Sequence, residues 1–195
     1  MFAIYRKEVS SFFSSVIAYV VIIVFLITNG VFLWIVPETN IFDYGYSSLD
    51  QLFEIAPWVF MFLVPAITMR SFAEERKAGT LEIILTKPIS DSSLILGKYL
   101  ANLSLVVFSL LPSLVYFISV YLLSSPVGNM DIGGTWGSYL ALFFLGAIYV
   151  SFGLFASVIN DNQIISFITA LFLCFFFYLL IDLLRGLLLI SVIDP

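Results

Sequence analysis

The chain has 195 residues, of which 62% are hydrophobic and 11% charged, where a soluble domain is about half apolar and one quarter charged. A water-soluble fold of this length has too little interior to hide that much hydrocarbon, so composition leaves lipid as the solvent. With no histidine and one cysteine, Cys174, zinc, haem and His-based catalysis lose their usual ligands and bases and an internal disulfide is excluded; the net charge of −5 says less than where the charges fall.

Residues 1–15 place Phe2, Tyr5, Val9, Phe12 and Phe13 at three- and four-residue steps, with Arg6, Lys7, Ser10 and Ser14 between them. This predicts a helix lying in the membrane interface, the alternative being a cytoplasmic extension of the first span. The apolar run that follows is too long for a cleavable signal and lacks a small-residue cleavage pattern. Spans of roughly 20 apolar residues are expected at 16–36, 52–69, 92–123, 137–159 and 163–184. All must be helices, because lipid satisfies no open backbone. The second span holds Pro57 and Pro65, and the third, long enough to protrude, holds Pro112. On the fourth, Gly146, Gly153, Ala147 and Ser151 offer a face for close helix approach, within the chain or at a dimer seam. Asp182 and Arg185 are spaced to pair at the outer end of the fifth. The tail "RGLLLISVIDP" is too short to span and reads as a partial or interfacial helix.

Residues 70–98 carry Arg70, Arg76, Lys77, Lys87 and Lys98, five of the eight positive charges. The connections 37–51 and 124–136 carry only acids: Glu38, Asp43, Asp50 and Asp131. The bias in Lys and Arg puts the N-terminus, the 70–91 loop and the turn at 160–163 on the cytoplasmic side. Lys98, near the inner end of its span, can snorkel to water. No ionisable group sits deep in a span, which argues against a proton- or ion-coupled carrier.

Within the loop, Arg70 and Glu74 stand four apart, as in a helix running out of the second span. Gly79 is placed to stop it. Thr80 can cap a new short helix, with Glu82 in its first turn. Pro88 ends that helix, and Ser90 caps the third span. The short helix groups Leu81, Ile84 and Leu85 on one face. That face needs a partner: the membrane, this chain's own helices, or another protein.

The stretch "EERKAGTLEIILTKPIS" resembles the E-x-x-x-G-T-x-E-x-L-L-x-x-P-[IV]-S signature of ABC-2-type transporter permeases, and "FGLFASVINDNQIISF" is similar to that family's turn between spans four and five. Among subgroups it looks most like the permeases associated with gliding motility. The resemblance implies an all-α polytopic bundle forming a single permease domain over residues 1–195. In it the short helix is a coupling helix docked on a separate cytoplasmic ATPase subunit. Carried over by position, Glu74, Glu75, Arg76, Gly79, Thr80, Leu81, Glu82, Ile84, Leu85 and Pro88 form that contact, with the charges as rim and the apolar face as core. It further implies a non-enzymatic chain without cofactor, ATP and Mg on the ATPase partner, a second permease subunit, lipid but no nucleic acid as surroundings, and the bacterial inner membrane with the N-terminus inside. The family usually has six spans, so the five here read as part of a longer protein, the alternative being a five-span variant.

A phosphate loop is absent: Gly97-Lys98 is preceded by Ser92 where the first glycine is needed and followed by Tyr99 where Ser or Thr is needed. Other readings are a scaffold anchoring a motility or secretion apparatus, an ATP-independent carrier, and an embedded enzyme, for which no base or nucleophile is in sight.

Overall fold

The computed structural model describes residues 1–37, 39–86 and 89–193, with side chains for all of these but Tyr44, Ile83, Leu85, Arg185 and 187–193. Among the described residues the chain forms α1 (Phe2–Ser14), α2 (Val16–Trp34), α3 (Ile41–Tyr44), α4 (Asp50–Thr68), α5 (Ala73–Lys77), α6 (Thr80–Leu85), α7 (Asp91–Leu123), α8 (Ile132–Ile159) and α9 (Gln163–Ile193), and no strand. Five segments, built on α2, α4, α7, α8 and α9, are long and apolar enough to cross a bilayer. The molecule is an all-α bundle of the polytopic membrane kind, the architecture that satisfies every backbone group without water.

Where the boundaries differ from expectation, the reasons are local. α8 starts at Ile132 rather than Gly137, because the Asp131 carboxylate accepts from the Gly134 N–H at 2.9 Å and caps an extra turn. α9 continues unbroken to Ile193, so no separate tail helix follows residue 184. α4 ends at Thr68, and a turn over residues 69–72 parts it from α5. Arg70 and Glu74 therefore share no continuous helix, and the expected pair between them does not form. The expected Asp182–Arg185 pair falls on a side chain outside the described residues.

α1 and α2 meet at Ser15, which is extended (φ −102°, ψ 159°). Its hydroxyl donates to the Phe12 carbonyl at 3.0 Å and accepts from the Ile17 N–H at 3.4 Å, closing one helix end and opening the next. α1 lies along the first half of α7: the Tyr5 and Ser104 hydroxyls are 3.0 Å apart, and the Phe13 ring meets Phe108 edge-on at 5.2 Å. With 33 residues at roughly 1.5 Å each, α7 is about 50 Å long, well beyond a hydrocarbon layer of about 30 Å. One stretch of it therefore stands clear of the apolar layer.

α4 is the centre of the bundle, in contact with α2, α8 and α9. In lipid, helices gain little from the hydrophobic effect and associate through close packing. Phe25 stacks on Phe60 at 4.6 Å, both buried. Gly153 of α8 lies against Thr68 of α4 so closely that a Cβ would collide with the threonine side chain. A Cβ on Gly146 would meet Val106 of α7 at 2.6 Å. Both glycines thus serve packing within the chain. Ser151 faces outward and bonds back to the Ala147 carbonyl, and Cys174 is a buried free thiol.

Candidate functional site

The segment between α4 and α7 stands at one end of the bundle. α5 ends at Lys77 with Ala78 as its C-cap, and Gly79 takes the left-handed conformation (φ 68°) that glycine adopts without strain, turning the chain into α6. The helix break expected at Gly79 is present. Thr80 is not the cap expected of it: α6 has no side-chain cap, and the Thr80 hydroxyl donates backward to the Glu75 carbonyl at 3.2 Å. Ser90 sits at the head of α7, but its hydroxyl bonds Ser93 instead of a backbone N–H.

Of the residues the motif brings forward, Glu74, Arg76, Gly79, Thr80 and Glu82 are exposed, Glu74 on the wall of a cavity between the loop and the α1–α2 joint. Leu81 and Ile84 are half-buried and pack against this chain's own core. Ile84 also borders a cavity of about 280 Å³ under α6, together with Ile4 of α1 and Leu94 of α7. The side chain of Leu85 and the whole of Pro88 lie outside the described residues. Glu75 behaves differently from its neighbours and turns inward.

There it meets Lys98. The expectation that Lys98 snorkels to water is overturned: its side chain is 1% exposed. The ammonium lies 2.9 Å from Glu75 Oε2 and 3.1 Å from Glu8 Oε1. It also donates to the Ser71 carbonyl and stands 5.0 Å over the Phe72 ring. Lys7 closes the group, 2.9 Å from Glu75 Oε1 and 3.4 Å from Glu8. Two cations and two carboxylates alternate, so the cluster is neutral. It joins α1, α5 and α7, with the bend at Ser71 held as well. Asn102, one turn further along α7, donates to the Ser71 hydroxyl at 3.1 Å.

A charge as enclosed as Lys98 is tolerated only with close partners, and removing one partner of such a pair typically costs 3–5 kcal/mol. For Lys7, burial works to lower the ammonium's pKa. Its hydrogen bond to Glu75 and the charges of Glu8 and Glu75 outweigh that and hold it above the ordinary lysine value. The linked stabilisation is complete below that ordinary value and disappears only as pH rises through the raised one.

Two further ties hold the root of the loop. Ser157 of α8 accepts from the backbone N–H groups of Phe72 and Ala73 at 2.9 and 3.1 Å and donates to the Met69 carbonyl at 3.1 Å. One hydroxyl thus serves three backbone groups at the bend after α4. Arg76 pairs with Asp161, in the turn between α8 and α9, at 2.8 Å.

Lys7, Glu8, Lys98, Ser157 and Asp161 are absent from the motif-based set, although they anchor it. A signal for Lys98 lay in the spacing. Leu94, Lys98, Ala101 and Leu105 recur at steps of four, three and four on the buried stripe of α7, and a lysine there needs a counter-ion.

A family model described as "ABC-2 family transporter protein" matches residues 34–188. That range takes in the loop, α7, α8 and most of α9, and leaves out α1 and nearly all of α2. None of the curated proteins and none of the solved structures matches. With well over half of its length matched, and with five membrane-length helices around the loop that bears the motif, the chain belongs to the ABC-2 family of transporter proteins.

Proposed function

We propose that this chain is the transmembrane permease subunit of an ATP-binding-cassette exporter, working with a second permease subunit and a separate cytoplasmic ATPase that binds ATP and Mg. The chain sits in the bacterial inner membrane with α1 and the α5–α6 loop in the cytoplasm, and belongs to the group associated with gliding motility. α6 receives the movement of the ATPase. Arg76, Gly79, Thr80 and Glu82 form the exposed part of the contact, Glu74 lies at its edge beside α1, and Leu81 and Ile84 support it; Leu85 and Pro88 belong to the same set by their place in the motif. Glu75 carries the movement inward.

The observation behind this reading is the ion cluster at the root of the loop. A displacement of α6 reaches α7 through Glu75–Lys98 and α1 through Glu75–Lys7, because a buried charge cannot leave its partner cheaply. A loop serving only as a connection needs no such root.

Purification from the native membrane under mild detergent tests it. The parent chain is expected to bring down a phosphate-loop ATPase. Glu82→Lys, on the exposed side of α6, is expected to lose the ATPase while the chain stays at normal membrane levels. Leu81→Lys is expected to do the same. Undiminished ATPase recovery by both variants would overturn the assignment, as would labelling of a Lys77→Cys thiol from outside intact cells.

A further inference from the structure

We infer that the cavity at the joint of α1 and α2 is a binding site for a zwitterionic aminophospholipid headgroup, a phosphodiester linked by a short chain to a primary ammonium. The cavity is about 350 Å³, within the range of small-ligand sites. Phe12 and Ile17 line it as apolar residues; Ser11, Ser15, Arg70 and Glu74 are among its polar lining.

The argument rests on which charges are left over. Lys7, Glu8, Glu75 and Lys98 border the cavity too, but they neutralise one another. Arg70 and Glu74 remain. Both are exposed, and neither has an ion-pair partner among the described residues. One cavity therefore offers one spare cation and one spare anion. A purely anionic headgroup satisfies Arg70 and is repelled by Glu74; a purely cationic ligand has the reverse difficulty. A zwitterion satisfies both, with its phosphate on the guanidinium fork and its ammonium on the carboxylate.

A primary ammonium fits better than a quaternary one. It donates hydrogen bonds to Glu74, whereas quaternary groups are held by cages of aromatic faces, and among the described residues Phe12 is the single aromatic one in the lining. The position favours a membrane lipid over a soluble zwitterion. Ser15 and Ile17 line the cavity where the apolar run of α2 begins at Val16, the depth at which a headgroup meets hydrocarbon. A lipid seated there touches both the α1–α2 joint and the bend that carries the loop.

Native mass spectrometry of the full chain, released from vesicles with equal amounts of phosphatidylethanolamine, phosphatidylglycerol and phosphatidylcholine, tests the site. Phosphatidylethanolamine is expected to be retained over both others. Glu74→Gln should abolish its advantage over phosphatidylglycerol. Arg70→Gln should weaken retention of phosphatidylethanolamine about tenfold or more, the scale of one charge-assisted contact. Ser11→Trp fills the cavity with every charge in place and should lose the lipid as well, which covers the case of a charge variant that folds poorly. Equal retention of the three lipids, preference for phosphatidylglycerol, or unchanged retention by Ser11→Trp would overturn the proposal. So would displacement of the lipid by soluble glycerophosphoethanolamine at equal concentration, which would make the occupant a free zwitterion. No ATPase enters the measurement, so its outcome is independent of the coupling assignment.

Discussion

The two ends of the bundle are held by different forces. Every ion pair among the described residues lies at the end bearing the loop. There, polar contacts join residues far apart in sequence: Lys7 to Glu75, Lys98 to Glu8, Ser157 to the bend after α4. At the opposite end, polar contacts are mostly local. Asn40 bonds Asp43, Thr39 bonds the Phe32 carbonyl, and Asp131 caps its own helix. The helices of that half meet through rings, such as Phe53 on Tyr139 and Phe117 on Trp136, and through two neutral ties, Tyr116 to the Leu26 carbonyl and Tyr139 to Ser113. Charge-assisted hydrogen bonds are short and directional, while aromatic pairs are met in offset-stacked and edge-to-face arrangements over a range of separations. One end is therefore tied by directional contacts between residues far apart in sequence, and the other mostly by ring packing.

The sharpest way to break this comparison is Lys98→Met. It keeps the volume but leaves Glu8 and Glu75 facing each other with only the exposed Lys7 between them. A loss of about 3–5 kcal/mol is expected, read as a lower midpoint of thermal unfolding in detergent. The matched change at the other end is Tyr116→Phe, which removes one neutral hydrogen bond of 2.8 Å and should cost about 1 kcal/mol. Equal losses for the two variants would erase the distinction between the ends. Ser157→Ala comes next. It strands two N–H groups and one carbonyl at the bend, with an expected cost of about 1–3 kcal/mol for buried backbone left unpaired. It should also raise hydrogen exchange in residues 69–77 selectively, and an unchanged exchange pattern there would count against Ser157 as the staple.

The architecture was legible because lipid demands it: long apolar runs could only be helices, and the all-α bundle follows. Gly79 was legible for a similar reason, as the residue that enters the left-handed region freely. The root of the loop was not. Glu8 and Lys98 are ninety residues apart, and no local pattern announces that α1 folds back along α7. The Arg70–Glu74 spacing assumed a continuous helix, and no glycine or proline between Met69 and Phe72 marks the break. Leu81 and Ile84 were readable as one apolar face, but periodicity tells which side is apolar and not what covers it. Their own core covers part of it.

The smallest expected effect sharpens the comparison from within the charged end. Arg76 and Asp161 approach to 2.8 Å, but their side chains are 38% and 75% exposed, so Arg76→Ala alone should cost no more than about 1 kcal/mol, and less at high salt. Its meaning lies in combination with Ser157→Ala. Both contacts fasten the start of the loop to the C-terminal end of α8 and its turn. While Ser157 holds the bend, the ion pair is nearly redundant; once the hydroxyl is gone, Arg76 becomes the remaining polar link between α5 and that turn. The double variant should therefore lose more than the sum of the two single losses, by about 0.5 kcal/mol or more in a double-mutant cycle. Simple additivity would mean that the two ties act on separate bodies, and the charged end would then not be one connected unit.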